Sequence, residues 1–154
     1  MDTPASRREW RTANGKANFI VSHQRAVERE HQPADALVLA TLRSHDQYNT
    51  TIYGMNDRYR GITGRRDVVF LSAEEATSRG LSQGDVVNVQ ALDDNGQPCA
   101  DRIMYGLTVV IYNMAAGSIG AYLPEANVLL SLEAVDTQSL TPAYKSVPVT
   151  LTKA

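Results

Sequence analysis

Apolar residues along this chain fall in short runs separated by turn-forming residues, a pattern that predicts many short strands rather than long helices. Residues 36–41, Ala-Leu-Val-Leu-Ala-Thr, form a compact run that reads as a buried strand. Residues 68–71 read as a second. Over 86–91, Val87 and Val89 share one face while Val86, Asn88 and Gln90 share the other, the alternation of a half-buried strand. Residues 99–104, 107–112 and 146–152 predict three more.

Turn chemistry separates these runs. Asp93-Asp94-Asn95-Gly96 predicts a hairpin turn, and Asn14-Gly15, flanked by Trp10 and Phe19, predicts another over 9–21. Ser72-Ala73-Glu74-Glu75 has the spacing of a helix capping box, and Gly80 suits the end of that short helix. The charged segment 23–31 reads as a short helix or exposed connector that Pro33 terminates, and the small residues of 117–124 read as a loop. The sum is one mostly-β domain, a small barrel or sandwich with one or more short helices. Residues 1–35 lead in, and 36–154 form the barrel.

Composition narrows the function. The formal net charge of -2 argues against a general nucleic-acid binder. No apolar run approaches the roughly 20 residues that span a bilayer, and the polar N-terminus does not read as a secretory signal. The expectation is a cytoplasmic protein. Of 15 basic residues only Lys16, Lys145 and Lys153 are lysines. Arginine's planar fork suits phosphate and carboxylate, although a GC-rich genome explains the same bias. Cys99 stands alone, which excludes an internal disulfide and a cysteine metal site. His23, His31 and His45 lack metal-ligand spacing and read as surface or loop residues. No nucleophile elbow, P-loop or dinucleotide fingerprint is present. No catalytic or metal-binding residue is therefore expected.

The strongest candidate for binding is the polar, aromatic stretch 42–66. A loop of this length inside a compact domain is usually functional or disordered. Its first part runs Thr41-Leu42-Arg43-Ser44-His45-Asp46-Gln47-Tyr48-Asn49-Thr50-Thr51. Arg43 and the hydroxyls can hold a phosphate, while Asp46, Gln47 or Asn49 can address a heterocycle edge. A plain polar surface loop is the alternative. Arg58, Arg60, Arg65 and Arg66 form a second basic cluster, read either as contacts to other domains or phosphate, or as a solvated loop.

The stretch RSHDQYNTTIYGMNDRYRGITGRR resembles the start of the molybdopterin-dinucleotide-binding domain of formate-dehydrogenase-like molybdopterin oxidoreductases. Thr41, Arg43, Gln47, Tyr48 and Thr50 match that family's pattern, with Gln47 standing where many members have His. Further landmarks follow in order: Arg79 to Val89, Pro-Glu-Ala-Asn at 124–127, and Thr-Pro-Ala-Tyr-Lys at 141–145. Gly15-Lys16-Ala17-Asn18-Phe19 is similar to the family's entry to this domain.

The resemblance implies a double-psi β-barrel of the aspartate-decarboxylase-like kind. It implies binding of molybdopterin guanine dinucleotide, with Mo or W in the full enzyme, the isolated domain being expected to lack it. It places Thr41, Arg43 and Ser44 by the pyrophosphate and pterin. Asp46, Gln47, Asn49 and Thr50 complete the loop's contacts, Asn127 faces a ring edge, and Tyr144 with Lys145 reaches the pterin end. Arg43, Asn127 and Lys145 are therefore expected on one side of the barrel. The implied partners are the catalytic domains of the same polypeptide, with no nucleic acid and no membrane. The family's molybdenum ligand and iron–sulfur motif are not in this sequence, so the isolated chain is expected to be inactive.

Two other readings carry less. A self-cleaving decarboxylase would use Gly117-Ser118, but Gly-Ser is a common dipeptide. A stand-alone, non-catalytic interaction module would use the same barrel to hold a partner protein.

Overall fold

A computed structural model describes residues 3–19, 32–49, 52–136 and 139–154. The helix or connector expected over 23–31 lies outside the described residues. The chain divides into two compact units, Met1–Glu30 and His31–Ala154.

In the first unit a 3-10 helix, Pro4–Arg7, is capped by Thr3, whose hydroxyl accepts from the Ser6 N–H. The Asn14-Gly15 turn forms, with the Gly15 N–H donating to the Thr12 carbonyl at 3.0 Å. The hairpin expected around it does not, because 9–19 contain no strand. Every described residue of this unit is exposed, so no apolar face backs a two-stranded ribbon, which is marginal alone.

The second unit holds β1 (Leu37–Leu42), β2 (Asn56–Asp57), β3 (Ile62–Thr63), β4 (Val68–Leu71), α1 (Ala73–Ser78), β5 (Val86–Leu92), β6 (Pro98–Ile111), β7 (Ser118–Tyr122) and β8 (Val147–Lys153). Six of these strands close a barrel in the order β1-β7-β4-β6-β5-β8, while β2 and β3 form a separate small hairpin. β1–β7 and β4–β6 pair in parallel, and the remaining neighbours are antiparallel. The interior is filled from alternate positions: Leu37 and Leu39 of β1, Val87 and Val89 of β5, Val147 and Val149 of β8.

Three expectations change. The loop expected at 117–124 contains β7, whose Ile119 to Tyr122 are all buried. One small residue has a packing cause: a Cβ on Gly120 would lie 2.6 Å from Leu42 Cδ1, so glycine leaves room for the Leu42 side chain over β7. The strands expected at 99–104 and 107–112 are one strand, β6. The break between them is a register shift opposite Val87 and Val89, where Gly106 has φ of 69° and its N–H donates to Asn88 Oδ1. Finally, Ser72 caps α1 through the Glu75 N–H, but Glu75 does not reach back as a capping box requires. Its carboxylate pairs with Arg79 and accepts from the Gly117 N–H.

Register sets what gathers where. β1 and β7 run in parallel, so Leu42 and Tyr122 finish side by side, and the Leu123 N–H donates to the Leu42 carbonyl. β8 runs against β1, which brings its start to the same end, and β4 begins there too. The 3-10 helix Glu125–Leu129 follows β7 and buries Ala126 and Leu129 against the core.

Candidate functional site

That barrel end carries the chain's densest polar chemistry. Thr41 is fully buried at the end of β1, and its Oγ1 has no hydrogen-bond partner among the described residues. Its backbone N–H donates to the Tyr144 carbonyl, and its carbonyl accepts from Lys145 Nζ. The Tyr144 ring lies 5.4 Å from the same ammonium. Burial, with the Arg43 charge nearby, pushes the Lys145 ammonium below its ordinary value. The Arg43 guanidinium is exposed and, among the described residues, has no acceptor paired with it. Two cations and a buried, unpartnered hydroxyl thus meet where β1 ends.

The rest of the loop is tied internally. The Ser44 N–H donates to Gln47 Oε1 at 2.9 Å, and Gln47 Nε2 donates to the Leu123 carbonyl at 2.8 Å. Ser44 Oγ accepts from Arg66 Nη1 at 2.8 Å. Ser44 and Gln47 therefore act as a staple between loop and barrel. Asp46, in a left-handed conformation, turns its carboxylate to His45 Nε2 at 3.1 Å and to Arg58 at 3.5 Å. Arg58 also contacts His45 Nε2. Asn49 is left-handed and exposed. Thr50 lies outside the described residues. Asn127 sits exposed in the 3-10 helix after β7, at the same end of the barrel as Arg43 and Lys145.

The arginine cluster divides: Arg58 and Arg65 stay solvent-exposed, while Arg60 and Arg66 turn inward. Arg66 is buried and grips Glu125 with two bonds, 2.6 and 3.1 Å. It also donates to the Leu123 carbonyl and lies over the rings of Tyr53 and Tyr122, at 3.9 and 4.5 Å. Arg60 pairs with Asp57 at 2.7 Å and Arg65 with Asp67 at 2.7 Å. The second half of the loop forms the β2–β3 hairpin, with Asp57 only 2% exposed.

Sequence reasoning missed this inner layer. Asp57 accepts from the Tyr122 hydroxyl and Arg60 Nη1 through Oδ2, both at 2.7 Å, and from the N–H groups of His45 and Tyr59 through Oδ1. Only the Asp-Arg-Tyr-Arg-Gly run at 57–61 hinted at it. His45, expected as a surface or loop residue, lies in the loop with its side chain 13% exposed, edge-on to the Tyr59 ring. Among the described residues no cluster of ligating side chains suits a metal ion.

Burial pushes the Asp57 carboxyl up, but hydrogen bonds from Tyr122, Arg60 and His45 and the Arg60 charge outweigh it and hold it below the usual carboxylate range. A depressed folded value means the stabilisation is present above the unfolded carboxyl's titration and is lost as pH falls through the folded one. Acid denaturation of the wild-type chain is therefore expected to be steeper than that of an Asp57→Asn variant below the usual carboxylate range. Equal slopes by circular dichroism would contradict it.

Comparison with known proteins covers most of the chain. The family described as "Molydopterin dinucleotide binding domain" matches residues 37–148. The chain is 50% identical over 147 residues to Protein YdeP of Escherichia coli (strain K12), a match covering 96% of this chain and 19% of that protein. It is 44% identical over 149 residues to Uncharacterized oxidoreductase Rv2900c of Mycobacterium tuberculosis (strain H37Rv), again covering 96% and 19%. The chain thus spans about 19% of the length of these curated relatives. Acetylene hydratase from Pelobacter acetylenicus is similar in fold, with a TM-score of 0.54 at 17% identity, covering 85% of this chain and 19% of that one.

Proposed function

Because this chain belongs to the family of molybdopterin dinucleotide-binding domains, we propose that it is the cofactor-binding domain of a formate-dehydrogenase-like oxidoreductase. In this reading it holds molybdopterin guanine dinucleotide at the barrel end where β1 stops. The observation that carries the reading is that, at the end of β1, the Arg43 guanidinium near Lys145 and the buried Thr41 hydroxyl have no partner among the described residues. A buried polar atom without a partner is costly, and a pyrophosphate supplies an acceptor for the Thr41 hydroxyl and the Arg43 guanidinium, while Lys145, already bonded to the Thr41 carbonyl, adds a second positive charge. The donor set therefore fits the anionic part of the cofactor.

Arg43 would grip phosphate with its fork, Lys145 would reach the pterin end, and Asn127 would offer an amide to a ring edge. Ser44 and Gln47 would act from beneath, keeping the loop in place rather than touching the cofactor. When bound, the cofactor supplies two-electron redox chemistry at its Mo or W. The chain's own contribution is to bind and orient. The closed six-stranded barrel with two parallel pairs supports the double-psi topology. Tyr48, Ile52, Met55 and Tyr59 are exposed around the same loop, which supports docking against the parent's catalytic domains in the cytoplasm.

Titration of the 154-residue chain with inorganic pyrophosphate, followed by amide chemical shifts, tests the reading. The expected result is saturable shifts at Thr41, Arg43 and Lys145. Saturable shifts confined to the opposite end of the barrel, or no shifts, would overturn it.

A further inference from the structure

We infer that Asp57 and Arg60 are a positioning pair that fixes the Arg43 backbone and so sets where its guanidinium reaches. The inference rests on reading the end of β1 as the anion-binding site. Arg43 is exposed, and among the described residues nothing pairs with its side chain. Its direction is therefore governed by how firmly the main chain is held on either side.

Both sides are held, and by one ion pair. Arg60 Nη1 donates to the Arg43 carbonyl at 3.1 Å, and the His45 N–H donates to Asp57 Oδ1 at 3.3 Å. These two tethers bracket Ser44, where the chain leaves β1. The pair is itself anchored in the barrel, because Asp57 Oδ2 accepts from the Tyr122 hydroxyl at the end of β7 as well as from Arg60. The Tyr59 N–H occupies Oδ1 from the hairpin side. Asp57 is buried and Arg60 half-buried, so neither offers a charge to a ligand directly. A carboxylate with four donors in one place is rigid, and charge-assisted bonds are the strong ones. The β2–β3 hairpin exists to deliver it: those two strands pair only with each other, outside the barrel.

If the pair merely stabilised the fold, breaking it would lower stability without touching Arg43. The test separates the two on the 154-residue chain with variants Asp57→Asn, Arg60→Met and Tyr122→Phe. Tyr122→Phe removes one donor and keeps the ring, so it serves if Asp57→Asn unfolds. The first readout needs no ligand. Exchange of the His45 amide and disorder of the Arg43 side-chain N–H, by nuclear magnetic resonance, should rise about tenfold in exchange rate, while the Leu39 amide in β1 stays unchanged. The second readout is affinity for inorganic pyrophosphate, expected to fall about tenfold in Asp57→Asn and less in Tyr122→Phe. Variants that fold, keep wild-type order at Arg43 and keep wild-type affinity would overturn the positioning role. Should Arg43 loosen in the variants while the wild-type chain binds no pyrophosphate, the positioning role stands and the assignment of the site falls.

Discussion

Arg66→Ala should destabilise the chain by about 3–5 kcal/mol, the usual cost of removing one partner from a buried ion pair. The guanidinium joins two segments through four partners: Leu123 and Glu125 after β7, and Ser44 and Gln47 in the loop after β1. Alanine leaves the buried Ser44 hydroxyl without its donor and the Leu123 carbonyl with only the Gln47 amide, and it removes the planar group between Tyr53 and Tyr122. The Glu125 side chain is 30% exposed and recovers some hydration, which places the expected loss toward the lower end. For a chain of this size each kcal/mol moves the thermal midpoint by roughly 2–4 °C, so the shift should exceed about 6 °C. Glu125→Gln, which keeps a hydrogen-bond acceptor, should lose less than Arg66→Ala. A loss below about 1 kcal/mol in Arg66→Ala, the value of an exposed pair, would show that Arg66 is not the keystone its contacts describe.

Arg43→Gln should do the reverse, leaving the fold intact and removing the binding. The guanidinium is exposed, so stability should change by less than about 0.5 kcal/mol. A hydrogen bond to a charged group is worth about 1.5–3 kcal/mol, so affinity for inorganic pyrophosphate should fall roughly 10- to 150-fold. Calorimetric titration of the 154-residue chain measures the fall, and retention of cofactor by the parent polypeptide gives the same comparison at full length. An unchanged affinity would remove Arg43 from the site. The contrast between the two arginines is the useful control, because one is locked inward by carboxylate and rings while the other has no internal partner among the described residues.

The strands built from branched apolar residues were legible because burial needs them there: β1, β4, β5 and β8 lie within a residue or two of where their hydrophobic pattern puts them. β7 was not, because the Leu42 side chain fills the space a Cβ at Gly120 would take, and small residues resemble a loop in sequence. β6 appeared as two strands because Gly106 absorbs an extra residue without ending the strand. At the candidate site, the family motif pointed to Thr41, Arg43, Tyr144 and Lys145, which the fold brings together. The layer beneath escaped because its partners are remote: Asp57 meets Tyr122 across 65 positions, and Arg66 meets Glu125 across 59. A run such as Asp-Arg-Tyr-Arg-Gly looks solvated until the strand that buries it is known. Local periodicity reports which face is apolar, not which distant carboxylate a buried arginine will find.

The closing strand has a consequence for how the molecule is made. β8 comes last and pairs with β1, so Leu37 must wait for Val149 and Leu39 for Val147. The parallel β1–β7 and β4–β6 pairs also join segments far apart in sequence. Folding dominated by such remote pairings is slow, on the order of milliseconds to seconds for small β-rich domains. Until β8 docks, β1 and β5 each present a bare edge, and bare edges recruit other chains. Thr41 and Lys145 meet only once β8 is in register. Unpaired strand edges are therefore exposed before the candidate binding site exists, and the interval in which this domain is vulnerable to aggregation ends with the placement of the seven-residue strand β8.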